Sequence, residues 1–372
     1  MRIAVYAHLL TTGSQHAGAG YAGYWLQAMV QAFPQHSWIL IYHKNSRQPP
    51  ALPIGKQVEH YVKGHRPVSS LGWCWWYGVV LKRCLKAVQA HLFIDLEGSG
   101  VAGLDHLRQV LMICQPWTTV KGRKGPQSLA QGHALALNKR HAANTTLWLS
   151  HQQVGEQLAV KRNHVPAIIL PAMPLPCFTP LSWAQQMHIC EAFTEGSNFF
   201  MLVGPMHLPQ FNWMLALKAF SAFKKWQKSS MKLVVVATEA ANFTGFEEKL
   251  NTYKYRADVV WKGYVKPDAY APLLASAYAM LYPAGQDGLA MPVAEAVASG
   301  TPVVTGPQVA VPPYAAPAVQ VLPALSEEEL GKALIQLYKN ETYRSQLAHH
   351  ARQINLHQTQ QEALALCNQF LA

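Results

Sequence analysis

Residues 287–300, DGLAMPVAEAVASG, with the exit Thr301-Pro302-Val303-Val304, decide how the rest of the chain is read. They follow a short apolar run, residues 278–282 (YAMLY), with the composition of a buried strand, and a turn-rich segment, Pro283-Ala284-Gly285-Gln286. A helix can begin at Pro292, because proline in a first turn has no N–H to leave unpaired. Ala294, Ala296, Val297 and Ala298 carry it, and Gly300 stops it. Strand, loop and helix N-terminus then aim backbone N–H groups and a partial positive charge at one point, which is how a diphosphate is held. Two carboxylates flank that point, Asp287 in the loop and Glu295 a turn inside the helix.

Working outward, apolar runs alternate with helical patterns on both sides. Downstream of residue 198 the strands are expected at 198–204 (NFFMLVG), 232–237 (KLVVVA), 258–265, 278–282, 302–305 and 319–322. Helices are expected at 211–225, 246–255, 268–277, 326–338, 341–354 and 359–371; the Ser-Glu-Glu-Glu start at 326 is a capping signature with acids in the first turn. Upstream, strands are expected at 2–7, 37–42 (SWILIY), 58–62, 91–96 (HLFIDL), 109–114 (QVLMIC), 145–150 and 166–171. A glycine-containing loop (Gly13, Gly18, Gly20) leads into a helix at 22–33, and another helix is expected at 131–143. Two βα-alternating halves imply two Rossmann-like doubly wound α/β domains. Residues 171–180 hold four prolines, which cannot continue a helix or a central strand, so the boundary is expected between 176 and 197.

The acid–seven residues–acid spacing, with proline between and Gly-Thr-Pro-Val-Val behind, resembles the donor-sugar motif of retaining GT-B-type glycosyltransferases of the group 1 kind. The family usually reads E-G-F-G-L-P-x-x-E-A-x-A-x-G-x-P-V-V. Here Asp287 takes the place of the first Glu, Leu289 of the Phe, Ala290 of the second Gly and Met291 of the Leu. The resemblance implies a GT-B fold: an acceptor domain (1–185) and a nucleotide-sugar domain (186–356) facing a central cleft, with the last helix (357–372) crossing back. It assigns Asp287 to the transferred sugar as the catalytic-site acid, and Glu295 to the ribose diol. Gly288, Leu289, Ala290, Met291 and Pro292 go to the sugar and diphosphate. Gly263-Tyr264-Val265 matches the strand-end turn at the base, and Gly204 and Asn212 belong to the donor loop. Gly18 and Gly20 match a cleft loop, and Cys114-Gln115 stands where the family has a His-Asp pair at the cleft. No metal and no cofactor beyond the sugar nucleotide itself are implied.

Departures from the pattern bear on chemistry. The family has an Arg early in the donor loop and a Lys just before its Asn. Here the second position is Phe211, and neither Lys nor Arg occurs between residues 198 and 213. A preorganised charge removed from where charge develops costs ~10²–10³ in rate. Asp for Glu at 287 shortens the side chain by one methylene, and misplacements of about an ångström cost ~100-fold. Two functions therefore stay open. One is transfer of a sugar, with retention, to a glycan or lipid-linked acceptor in cell-surface polysaccharide synthesis. The other is a catalytically degenerate relative that binds a glycan, a nucleotide or an active glycosyltransferase partner.

The net charge of +12 over 372 residues, with 17 histidines besides, favours anionic partners or is simply a solvated basic surface. No helix-turn-helix, zinc-finger or ribonucleoprotein motif is present, which argues against nucleic acid. The six cysteines show no CxxC spacing and read as free thiols of a reducing compartment. Met1 leads directly into a strand, and no apolar run approaches a spanning length, so a cytoplasmic protein is expected. Peripheral contact with the inner membrane face stays open. The stretch 73–86 (WCWWYGVVLKRCLK) sets aromatics beside a basic helical face, which suits a membrane interface, a helix packed on a sheet or an acceptor-lining helix alike.

Overall fold

The computed structural model describes residues 1–11, 17–44, 57–101, 103–104, 106–113, 145–152 and 166–371. The chain divides into two compact units: Met1–Pro171 together with Gln358–Ala372, and Ala172–His357. The division falls at the head of the proline-rich stretch.

The first unit is built on a seven-stranded sheet of order β3-β2-β1-β4-β5-β6-β7, parallel throughout. Its strands are β1 (Arg2–Tyr6), β2 (Ser37–Tyr42), β3 (Val58–Val62), β4 (Leu92–Asp95), β5 (Arg108–Ile113), β6 (Thr145–Leu149) and β7 (Ala167–Ile169). Strands buried on both faces read as apolar runs, not as alternating ones, and β1, β2, β4 and β6 are buried almost throughout. The first helix, Ala17–Ala32, starts earlier than its sequence suggests: Gly18 and Gly20 lie in its first turn, not in a loop before it. Its Tyr21 hydroxyl donates to Leu170 O (2.7 Å) and its Trp25 Nε1 to Pro171 O (3.0 Å). The aromatic–basic stretch forms a helix (Ser70–Trp75), a π turn (Trp76–Val80) and a second helix (Leu81–Ala87). Trp73, Trp76, Tyr77, Leu81, Cys84 and Leu85 from it pack into one core cluster with Ala4, Tyr6, Ile39, Ile41 and Phe93 of the sheet. The expected helix at 131–143 lies outside the described residues, as do Cys114, Gln115 and the basic positions Lys121, Arg123 and Lys124.

The second unit repeats the plan with six parallel strands, order β10-β9-β8-β11-β12-β13. These are β8 (Phe199–Gly204), β9 (Lys232–Ala237), β10 (Val259–Tyr264), β11 (Ala279–Tyr282), β12 (Val303–Thr305) and β13 (Val319–Val321). Helices Trp183–Thr194, Trp213–Gln227, Thr244–Asn251, Pro267–Ser276, Met291–Ala298, Glu327–Lys339 and Glu341–Arg352 cover it. Ser182 and Ser326 cap two of them through their hydroxyls. The Met291–Ala298 helix is buried at every position. It ends as a glycine stop should: Gly300 is left-handed (φ 79°), Thr301 N–H returns to Ala296 O (2.9 Å) and Gly300 N–H to Val297 O (3.0 Å). Among the described residues no helix is long and apolar enough to cross a membrane, and Cys74, Cys84, Cys177, Cys190 and Cys367 are free thiols.

Candidate functional site

In the six-stranded sheet the strand order reverses between β8 and β11. Open α/β sheets bind ligands beyond the carboxyl ends of their strands at such a point. The chain leaves β8 at Gly204 and β11 at Tyr282. A Cβ built on Gly204 would lie 2.1 Å from the Phe211 ring, so that ring rests on the glycine backbone. Phe211 is 1% exposed and its centroid is 5.6 Å from that of Tyr282. An apolar ring thus fills the space just past β8, at the position where the sequence pattern called for a lysine.

Asn212 follows in a left-handed conformation (φ 49°) and opens the Trp213–Gln227 helix. Its Nδ2 donates to Gln210 O (3.0 Å) and to Pro283 O (3.2 Å), while Gly285 N–H donates to Gln210 O (2.7 Å). The loops after β8 and β11 are therefore stitched together, and the Asn212 amide is engaged in doing so. His207, also in the first loop, has Nε2 3.5 Å from Glu239 Oε2, just beyond β9.

Asp287 is similarly engaged. Its Oδ2 accepts from the Tyr282 hydroxyl (2.7 Å) and its Oδ1 from Leu289 N–H (2.9 Å), while its backbone O accepts from Ala310 N–H (2.7 Å). Burial, then the charges of Asp287, Glu295 and Glu239, push the Tyr282 hydroxyl well above the ordinary phenol range. Tyr282 therefore remains a donor, to Asp287. Gly288, Leu289, Ala290, Met291 and Pro292 are all buried, with Ala290 left-handed (φ 51°) at the helix start.

Glu295 is 7% exposed and accepts a hydrogen bond on Oε2 from the hydroxyl of Tyr270, on the neighbouring Pro267–Ser276 helix. Burial pushes its carboxyl up to about 7, with the Tyr270 bond acting in the opposite direction. Near neutral pH it can serve as proton donor or acceptor, and ionised it can accept from a pair of hydroxyls. Further along the sheet, Gly263 (φ 67°) sits where β10 slips register against β9, between Trp261 and Tyr264; Val265 N–H reaches Ala237 O (3.3 Å). Tyr264 and Val265 are partly exposed there.

A second cluster, in the first unit, was not among the residues singled out from sequence. It lies past the ends of β1, β2 and β4, again at a reversal of strand order. The fully buried Asp95 accepts from N–H of Glu97 (2.9 Å), Ser99 (2.9 Å) and Gly100 (2.7 Å). Burial and the Glu97 charge push its carboxyl up to about 7 against those three bonds. Glu97 Oε2 accepts from the Tyr77 hydroxyl (2.7 Å). Nearby, the Tyr6 hydroxyl lies 3.0 Å from His43 Nε2, and the His8 and His43 rings meet edge to face at 4.7 Å. Burial lowers His8 to about 4 and His43 to about 3, so both imidazoles are neutral at physiological pH. The run Asp95-Leu96-Glu97-Gly98-Ser99-Gly100 directly after a strand was the available signal for the acidic half. The glycines assigned to this end, Gly18 and Gly20, are half-buried and exposed respectively; around Gly20 there is open space.

With this geometry in view, the comparisons are specific about the fold. Residues 192–354 match the family model described as glycosyl transferases group 1. Sucrose-phosphate synthase from Thermosynechococcus elongatus superposes with a TM-score of 0.73 at 12% identity, covering 100% of this chain and 99% of that one. WaaG, a glycosyltransferase involved in lipopolysaccharide biosynthesis, gives 0.70 at 17% identity, covering 98% of each chain. HepE from Anabaena, solved with UDP and glucose, gives 0.68 at 10% identity, covering 99% of each. The fold is GT-B. The family match falls within the second unit and its trailing helices, where the Asp287–Glu295 segment lies. A search of curated proteins finds no match.

Proposed function

We propose that the protein is a glycosyltransferase that binds a nucleotide-diphosphate sugar in its second unit and transfers the sugar, with retention, to a glycan or lipid-linked acceptor. The observation that carries this reading is the buried Met291–Ala298 helix. Its N-terminus follows the β11 loop, and Glu295 presents a nearly buried, titratable carboxylate, inside a segment that matches the glycosyl transferases group 1 model. In this reading the helix N-terminus takes the diphosphate and Glu295 takes the ribose hydroxyls. Asp287 holds the loop through Leu289 N–H and Tyr282, and faces the sugar with its remaining lone pairs. UDP and glucose bound by HepE support a uridine nucleotide as donor. The lipopolysaccharide role of WaaG supports an acceptor of cell-surface type.

A second reading, a nucleotide-binding relative without transfer activity, is favoured by one observation. Phe211 occupies the space past Gly204 where a cation would stabilise the leaving diphosphate. An assay of UDP release from UDP-glucose, with and without an extract of cell-surface glycolipid, separates the two. Release that is lost in Asp287→Asn supports transfer. Nucleotide binding with no release from any sugar nucleotide assigns the chain to the second reading.

A further inference from the structure

Large apolar side chains are exposed at ten described positions, and four of them, Val62 (41%), Val68 (89%), Leu71 (83%) and Trp75 (60%), fall in one short stretch of the first unit. Leu71 and Trp75 are four residues apart on the Ser70–Trp75 helix, so they stand one above the other on its outer face. The opposite face is fixed: Trp73, Trp76 and Tyr77 are buried in the core cluster, and Ser69 caps the helix through Gly72 N–H (3.1 Å). In the π turn, Leu81 N–H reaches Trp76 O, and past it Arg83 and Lys86 are exposed and Lys82 is half-buried. Lys63, His65 and Arg66, before the helix, are exposed as well. No Asp or Glu occurs between Glu59 and Asp95.

We infer that this face, Val68–Leu71–Trp75 flanked by Lys63, Arg66, Arg83 and Lys86, docks the protein on the surface of an anionic lipid bilayer. An apolar wedge with an aromatic tip, in a stretch that carries positive charge and no acid, is the arrangement that enters an interface. The tryptophan sits at headgroup depth and the cations lie against lipid phosphates. The inference is independent of glycosyl transfer, since binding to vesicles is read without any sugar nucleotide.

Co-sedimentation of the full chain with phosphatidylcholine vesicles, with and without phosphatidylglycerol, tests it. Binding is expected to the mixed vesicles only, and to weaken with added NaCl. Leu71→Ser with Trp75→Ser should lower the partition coefficient at least tenfold. Arg83→Glu with Lys86→Glu should lower it by more than tenfold, since each cation lost near the surface is worth about fivefold. Trp226→Ser, which removes a still more exposed tryptophan of the second unit (72%), should leave binding unchanged. No binding to the mixed vesicles overturns the inference, as does equal loss in Trp226→Ser. Lipid-free self-association that disappears in the Leu71/Trp75 double variant would also overturn it and give the face to a second copy of the chain.

Discussion

A single contact, the Phe211 ring lying on the Gly204 backbone, shapes the candidate donor site at the residue level. The contact exists because residue 204 has no Cβ, and it places a buried apolar ring just past the end of β8. Gly204→Ala should destabilise the protein by about 2–3 kcal/mol through overpacking. Phe211→Ala should cost about 3–5 kcal/mol through the cavity it leaves. Because the two changes relieve each other, the double variant should fall short of their sum by at least ~1 kcal/mol in urea denaturation. Additive losses would place the ring away from the glycine. A similar logic governs Asp287 and Asn212: the types and spacing that suggested ligand contacts also serve to hold loops, and here each is engaged with Tyr282 and Leu289, or with Gln210 and Pro283.

Among the elements, parallel strands and the glycine-stopped helix were legible because their physics is local. Strands covered on both faces must be apolar throughout, as FFMLVG and KLVVVA are, and proline and glycine mark the helix ends. The partners of the site were not legible. Tyr270 reaches Glu295 across 25 residues and from another helix, and no periodicity records such a meeting. The helix start at Ala17 was missed because its glycines argued for a loop; the residues before it lie outside those described. Aromatic residues of 73–86 divide by face, Trp73 and Trp76 inward and Trp75 outward. The turn after β4 yields a prediction of its own. Asp95 alone terminates three backbone N–H groups, so Asp95→Ala leaves them without it in a buried turn. A loss of about 3–5 kcal/mol is expected, measured as a drop in denaturation midpoint. A loss below ~1 kcal/mol would mean that water or another acceptor takes over.

For the whole molecule, four buried groups set opposing slopes of stability with pH. His8 and His43 are held well below the ordinary histidine value of 6.5, so the stability they contribute is complete above 6.5 and is lost as pH falls through about 4 and 3. Asp95 and Glu295 are held above their ordinary values of 3.8 and 4.5. Their contribution is complete below those values and is lost as pH rises through about 7. Between about 4.5 and 6.5 the two slopes oppose each other, protons taken up by the unfolded histidines, His36 among them because burial lowers it too, against those held by the folded carboxyls. Thermal unfolding should therefore depend only weakly on pH across that window, with Tm falling more steeply on either side. In His8→Gln the acid limb should be shallower.

The central claim is that the second unit holds a nucleotide diphosphate at the Met291–Ala298 helix, with Glu295 on the ribose. Calorimetric titration of UDP and GDP into the full chain tests it most directly, run at pH 6 and pH 8 and repeated with Glu295→Gln. Saturable binding of one nucleotide is expected, tighter at pH 8, where Glu295 is ionised, and reduced at least tenfold at pH 8 in Glu295→Gln with a smaller gain between the two pH values. No heat from either nucleotide at millimolar concentration, or binding indifferent to Glu295→Gln, would contradict it.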